Sequence, residues 1–351
     1  MTTDEKYMYR CLQLAGKGKG YVNSNPMVGA VIVHDGQIVG EGYHKKFGEP
    51  HAEANAINSV KNSSLLQEST LYVSLEPCTH YGKTPPCTEL VISKKIPRVV
   101  VATRDPNPKV SGKGVQMMRD AGIEVTEGIL NNEAKELNRV FFVNHLYERP
   151  YIILKWAQSN DGFIDHERSL FTKNAPAKIS NEITEIIIHK LRTHVQGIMV
   201  GTNTVLMDNP KLTARKWFGK NPVRITIDKR NMIPSHAQIF NNDAKTIVFT
   251  ENPDYHIKKE NVKPIVIDFS SDTNTQIIKH LYTKNIWSVL VEGGAQLLAS
   301  FIAKNLWDEA YIEISTKILN KGTKAPHIQG DRIKIKQYPN SIQIHLKNKI
   351  S

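Results

Sequence analysis

The 351-residue sequence contains only three cysteines, Cys11, Cys78 and Cys87, too few for a complete disulfide framework. It has no uninterrupted apolar run approaching the roughly 20 residues that a bilayer-spanning helix requires. Its opening, Met1-Thr2-Thr3-Asp4-Glu5, is polar and acidic, without the basic start and apolar core of a signal peptide. Internal repeats and low-complexity stretches are missing, which argues against a solenoid or a disordered chain. No Gly-x-Gly-x-x-Gly follows a strand signal, so a standard dinucleotide-binding Rossmann unit is unsupported. The 46 Lys+Arg outnumber the 34 Asp+Glu and leave +12, yet no dense basic block interleaved with aromatics appears. The lysines are scattered and thicken only toward the end, as in Lys334-Ile335-Lys336, which reads as a solvated surface. What remains is ordinary globular composition, 40% hydrophobic and 23% charged, in a chain long enough for two domains. A two-domain cytoplasmic enzyme is expected, with neither nucleic acid nor membrane as a partner.

Strand and helix signals alternate through the first half. An amphipathic helix carries Met8, Cys11, Leu12 and Ala15, and the runs Val28 to Val33 and Ile38 to Tyr43 flank a turn and predict a hairpin. Helices follow at Ala52 to Val60, Thr88 to Lys94 and Gly114 to Ala121, between strands at Thr70 to Ser74, Arg98 to Ala102 and Ile123 to Thr126. This order predicts an α/β sandwich with both sheet faces covered. Glu133 to Val143 reads as one helix, and Pro150 breaks the chain after it. A second alternation of strands and helices runs from Tyr151 to Leu346. The domains are expected at 1–147 and 148–351.

The strongest chemical signal is His51-Ala52-Glu53 followed by Glu76-Pro77-Cys78 and Cys87. A catalytic zinc takes three protein ligands and keeps one position for water, and one His with two Cys supplies that set. Glu53, two residues past the first ligand, is near enough to reach that water without occupying the metal. A carboxylate so placed takes a proton from the water and returns it to a leaving amine, the division of labour in zinc deaminases. Eight residues, Thr79 to Pro86, separate the cysteines where the general zinc-deaminase signature has two. Cys11, on the apolar face of the first helix, reads as a core residue.

The segments Asn25-Pro26-Met27-Val28-Gly29-Ala30, Gly48-Glu49-Pro50-His51-Ala52-Glu53 and Leu75-Glu76-Pro77-Cys78-Thr79-His80-Tyr81-Gly82-Lys83-Thr84-Pro85-Pro86-Cys87 resemble one family. It is the bifunctional riboflavin-biosynthesis enzyme, a pyrimidine deaminase fused to a 5-amino-6-(5-phosphoribosylamino)uracil reductase. The long Cys-to-Cys loop is that family's own variant, and Asp105-Pro106-Asn107-Pro108 with Gly112-Lys113-Gly114 also fits. The resemblance implies a cytidine-deaminase-like three-layer α/β/α domain followed by a dihydrofolate-reductase-like α/β domain, with Zn2+ and NADPH as cofactors and a homo-oligomeric assembly. It implies Glu53 as the proton-transferring residue and His51, Cys78 and Cys87 as zinc ligands. It places Asn25 and His44 at the base, and His80, Lys83, Asp105 and Asn107 around the ring and ribose phosphate.

In the second half, Glu292-Gly293-Gly294-Ala295 follows a strand signal and precedes a helix, a setting in which backbone amides can approach a phosphate. As a bare motif it equally fits an ordinary tight turn. Beside the family, Ala157, Thr204, Asp208, Gly293, Gly294, Ala295 and Gln296 match cofactor contacts, and Phe171 and Lys229 stand at two further cofactor-contact positions. Ser169, Arg192, Leu212, Arg215 and Glu292 match substrate contacts, and guanidinium forks suit a ribose phosphate. The sequence departs from the family at Phe171, often Trp, and at Lys229, often a small polar residue. Two rival readings are a tRNA or nucleobase deaminase with an accessory domain, and a zinc-stabilised binding module with a closed site. The first predicts a clustered basic groove, and the second makes Glu53 incidental.

Overall fold

Residues 1–22, 25–81, 85–107, 110–168 and 175–349 are described by the structure, a computed structural model. The chain divides into two compact units, Met1–Tyr147 and Glu148–Ser351. No helix among the described residues is long and apolar enough to cross a membrane.

In the first unit, helix α1 (Thr3–Gly16) begins well before Met8, because Thr2 and Glu5 cap each other. The Glu5 amide donates to Thr2 Oγ1 at 3.2 Å, and the Thr2 amide donates to Glu5 Oε2 at 2.7 Å. The hairpin of β1 (Gly29–His34) and β2 (Gln37–Tyr43) leads into α2 (Ala52–Ser59). Then come β3 (Thr70–Val73), α3 (Cys87–Ser93), β4 (Arg98–Val101), α4 (Lys113–Asp120) and β5 (Glu124–Glu127). The strands form one sheet in the order β2-β1-β3-β4-β5, with β1 antiparallel to both neighbours and β3, β4 and β5 parallel. Val31, Tyr72 and Val100 pack on one face with Met8, Cys11 and Leu14 of α1. Ile32, Val73 and Val99 pack on the other with Ala56, Val91 and Met118. Strands buried on both faces read as continuous apolar runs, as these do.

The expected single helix at 133–143 is two, α5 (Asn131–Leu137) and α6 (Arg139–Tyr147). The break falls at Asn138, a buried residue whose amide group pairs with the Met27 backbone. Its Oδ1 accepts from the Met27 amide at 2.8 Å and its Nδ2 donates to the Met27 carbonyl at 2.9 Å.

The second unit runs β6 (Tyr151–Gln158), β7 (Phe163–Asp165), α7 (Glu182–Arg192), β8 (Gly197–Val200), α8 (Thr202–Asp208), β9 (Val223–Ile227), β10 (Thr246–Thr250) and β11 (Val262–Val266). It continues with α9 (Thr273–Thr283), β12 (Ser288–Glu292), α10 (Ala295–Ala303), β13 (Glu309–Ser315), β14 (Thr323–Lys324), β15 (Asp331–Tyr338) and β16 (Ser341–Lys347). Its main sheet has the order β11-β10-β9-β8-β12-β6-β13-β16-β15. From β11 to β13 all pairings are parallel, and β16 and β15 are added antiparallel. Strand β12 is inserted late in the chain between β8 and β6, so the chain's direction of travel across the sheet reverses there. In open α/β sheets ligands bind outside the carboxyl ends of the strands at such a switch point. Strand β15 escapes the sequence pattern because it is an edge strand with nearly every residue exposed, and its alternating lysines guard that edge.

Candidate active sites

The first site is assembled by two helix starts and one strand end. His51 precedes α2 in extended conformation and its side chain makes no capping bond to the helix. The ring turns instead toward sulfur: Nδ1 lies 3.5 Å from Cys78 Sγ and 3.4 Å from Cys87 Sγ. Cys78 follows β3, and Cys87 is the first residue of α3. One ligand atom from each residue lies within 4.8 Å of the others. A tetrahedral zinc with N and S bonds of about 2.0 and 2.3 Å spans N···S edges of about 3.5 Å, which these two distances match. The donor set therefore fits zinc, with three protein ligands among the described residues. Cys78 is pushed down to about 4, first by the Cys87 thiol and then by His51, against the cost of burial. Cys87 is pushed up in turn by its bond to Cys78 and by burial.

Glu53 sits in the first turn of α2, only 3% exposed. Burial, with the Cys78 charge behind it, pushes its carboxyl up to about 7. His44, also buried, lies edge-on to His51 with ring centres 5.4 Å apart. Its Nδ1 faces the Pro50 carbonyl at 3.3 Å, which only accepts, so Nε2 accepts from Asn25 Nδ2 at 3.1 Å. Burial lowers the His44 pKa and favours this neutral ring. Asn25 and His44 are thus held together beside the metal ligands. Asp105, pushed up to about 6 by burial, is near enough to His80 and Cys78 to feel their charges and accepts the Asn107 amide at 2.8 Å. His80 itself is exposed. Lys83 lies outside the described residues.

The second site gathers at the carboxyl ends of β6, β8 and β12. Glu292 closes β12 opposite Lys155 of β6. Arg192, at the end of α7, grips it with a fork: Nε to Oε1 at 3.1 Å and Nη2 to Oε2 at 2.7 Å. The remaining Arg192 Nη1 donates to the Thr213 carbonyl at 2.9 Å. Burial pushes Glu292 upward, but Arg192 outweighs it and holds the carboxyl below its usual range. Leu212, buried with φ 52°, leads through Thr213 to the exposed Arg215. His189, one turn before Arg192, is pushed down to about 4 by burial and then by the Arg192 and Arg215 charges.

Gly293 and Gly294 both have positive φ, 70° and 77°, and open α10. A Cβ on Gly294 would stand 3.1 Å from Thr204 Oγ1, so the glycines leave a backbone cradle against α8. Gly294 has no side chain to cap α10, whose first turn carries Ala295 and the exposed Gln296. A backbone cradle at an uncapped helix start fits a phosphate of a dinucleotide. Ala157 lies near the end of β6. Asp208 is engaged by Arg168, whose guanidinium reaches its Oδ1 at 2.5 Å while also bonding Asp165. Lys229, after β9, pairs with Glu251 at 3.5 Å and lies over the Phe269 ring. Ser169 and Phe171 lie outside the described residues. Sequence reasoning left Lys155, His189 and Arg168 without a role, and their only signal was a charge or an imidazole on a strand, a helix and a loop.

Residues 150–346 match the family model described as the RibD C-terminal domain, and residues 1–103 match the cytidine and deoxycytidylate deaminase zinc-binding region. The riboflavin biosynthesis protein RibD of Aquifex aeolicus is 43% identical over 91% of this chain and 88% of its own length. That of Bacillus amyloliquefaciens is 40% identical over 93% and 87%. The crystal structure of a diaminohydroxyphosphoribosylaminopyrimidine deaminase/5-amino-6-(5-phosphoribosylamino)uracil reductase from Thermotoga maritima superposes with a TM-score of 0.87, at 37% identity and 99% coverage of both chains.

Proposed function

The chain belongs to the RibD family of riboflavin biosynthesis, and from that premise we propose that its two activities reside in the His51–Cys78–Cys87 centre and in the Glu292–Gly294 region. It is a deaminase and reductase, a cytidine-deaminase-like unit joined to a dihydrofolate-reductase-like one, using zinc and NADPH. The proposed substrate is 2,5-diamino-6-(5-phosphoribosylamino)pyrimidin-4(3H)-one, and the final product 5-amino-6-(5-phosphoribitylamino)uracil. One observation carries the placement: an imidazole nitrogen faces two thiols while a buried carboxylate lies in the adjoining helical turn.

Zinc, when bound, lowers the pKa of a water and makes it a nucleophile near neutral pH. His51, Cys78 and Cys87 hold it, which leaves the Glu53 carboxylate free to accept the water's proton and pass it to the departing amine. Asn25 and His44 orient the base, with His80, Lys83, Asp105 and Asn107 on the ring and ribose phosphate. In the second unit NADPH, when bound, supplies the hydride that opens the ribose at C1. The Gly293-Gly294 cradle with Ala295, Gln296, Thr204, Ala157, Asp208 and Phe171 holds the cofactor. Arg192, Glu292, Arg215, Leu212 and Ser169 orient the sugar phosphate. The working form is taken to be a cytoplasmic homo-oligomer that binds no nucleic acid, which light scattering and a DNA titration test.

Cys87→Ser is expected to lower zinc content and ammonia release together, read by metal analysis on the purified chain. Full zinc occupancy in that variant would remove Cys87 from the ligand set. Lys229→Ala is expected to narrow the NADPH/NADH preference by about tenfold, the loss of one charge-assisted contact to the 2′-phosphate. An unchanged kcat/KM ratio for the two nucleotides shows that Lys229 makes no such contact.

A further inference from the structure

Glu76 stands two residues before Cys78 and is only 3% exposed. Its carboxylate is shared by four backbone amides from two other segments. Oε2 accepts from Asp105 at 3.2 Å and from Gly112 at 2.9 Å. Oε1 accepts from Gly114 at 3.0 Å and from Val115 at 3.3 Å. Its own amide donates to the Thr103 carbonyl at 2.9 Å, so main chain and side chain both grip the segment that leads into Asp105.

The surroundings are shaped for this contact. Helix α4 starts at Lys113 after Gly112, which offers no capping side chain, and the Glu76 carboxylate takes over the cap from outside the helix. A Cβ at Gly114 would lie 2.4 Å from the Pro77 carbonyl and 3.3 Å from Glu76 Oε1. Any residue larger than glycine would therefore push the carboxylate and the Pro77-Cys78 backbone away from α4. Thr88 Oγ1, 3.2 Å from that same Cβ position, donates to the Pro77 and Cys78 carbonyls at 3.2 and 3.0 Å, beside Cys87. The Pro77-Cys78 backbone is thus held against the starts of α4 and α3.

We infer that Glu76 is a positioning residue of the deaminase, which ties the Cys78 ligand and the Asp105–Asn107 segment into one rigid body. Its effect on substrate rests on the reading above that Asp105 and Asn107 contact the pyrimidine, and its effect on metal does not. A carboxylate is needed because both oxygens face only N–H donors. Glutamine keeps the shape but turns one of them into a donor opposed to two donors.

The test compares Glu76→Gln, Glu76→Asp and Asp105→Asn in the full zinc-loaded chain. Two quantities are read: the rate of zinc release to an excess of a chromophoric chelator, and KM and kcat for ammonia release. Glu76→Gln is expected to release zinc about tenfold faster and to raise KM about tenfold, the lower end of the loss seen when outer-shell partners are removed. NADPH oxidation with the deaminated intermediate stays at the wild-type rate. Glu76→Asp, which reaches one amide pair at a time, recovers part of both effects, and it replaces Glu76→Gln in the comparison if the latter does not fold. A purely structural residue would lower the melting temperature and leave release rate and KM of the folded enzyme untouched, and that result overturns the inference. Faster release with unchanged KM also overturns it if Asp105→Asn raises KM, because Glu76 then does not position the second segment. If Asp105→Asn leaves KM unchanged as well, the substrate role of Asp105 is what fails, and faster zinc release still upholds the hold on Cys78.

Discussion

Glu53→Gln is expected to lower deamination by about 10²–10⁴-fold, the contribution of a positioned acid–base group. The substitution keeps side-chain size in a pocket where Glu53 is almost wholly buried, so packing is preserved and the proton carrier is lost. Zinc content stays at about one per chain, because the three-residue donor set does not include Glu53. The reductase readout separates this effect from misfolding. Glu53 belongs to the compact unit Met1–Tyr147, and the Arg192–Glu292 pair belongs to Glu148–Ser351. NADPH oxidation with the deaminated intermediate should therefore continue near the wild-type rate. Deamination persisting within a few-fold of wild type would take the proton transfer away from Glu53 and give the binding-module reading a second hearing.

Arg192→Ala is expected to cut NADPH oxidation by at least about 30-fold while ammonia release stays normal. The fork to Glu292 is well buried, with side-chain exposures of 12% and 13%. Removing one partner of a buried, hydrogen-bonded charge pair costs about 2–5 kcal/mol, which is roughly 30- to several-thousand-fold in kcat/KM if the pair orients the sugar phosphate. Part of that cost falls on stability, since Glu292 would be left with Lys155 as its neighbouring cation. Arg192→Lys keeps the positive charge but not the fork, and should fold better than Arg192→Ala while reducing almost as poorly. Calorimetry and the two separate assays distinguish these effects. Normal NADPH oxidation in both variants would show the pair to be structural only. Loss of ammonia release alongside it would mean that the two activities do not separate by unit.

Much of this protein is legible in its sequence because the decisive signals are local. His51 and Glu53 are two residues apart at one helix start, so their proximity follows from the spacing alone. The apolar runs at Gly29–His34 and Tyr151–Gln158 announce buried strands because a strand covered on both faces has no polar side to show. The cytidine-deaminase-like first unit and the reductase-like second unit were likewise readable from motifs confined to short segments. What stayed hidden depends on contacts between distant parts of the chain. The break at Asn138 is set by Met27, and nothing in the periodicity from Glu133 to Val143 marks it. Arg192 meets Glu292 only because α7 and β12 converge at the reversal of the sheet, and Asp208 is tied to Arg168 in the same way. Glu76 reads in sequence as one letter of a metal motif. Its four amide partners come from Asp105 and from Gly112 to Val115, and only folding brings them to one carboxylate. Sequence pattern determines which residue types recur at the spacing of a helix, a strand or a ligand pair. Tertiary structure decides which buried polar groups meet, because each must find a partner once water is excluded and that partner can lie anywhere along the chain.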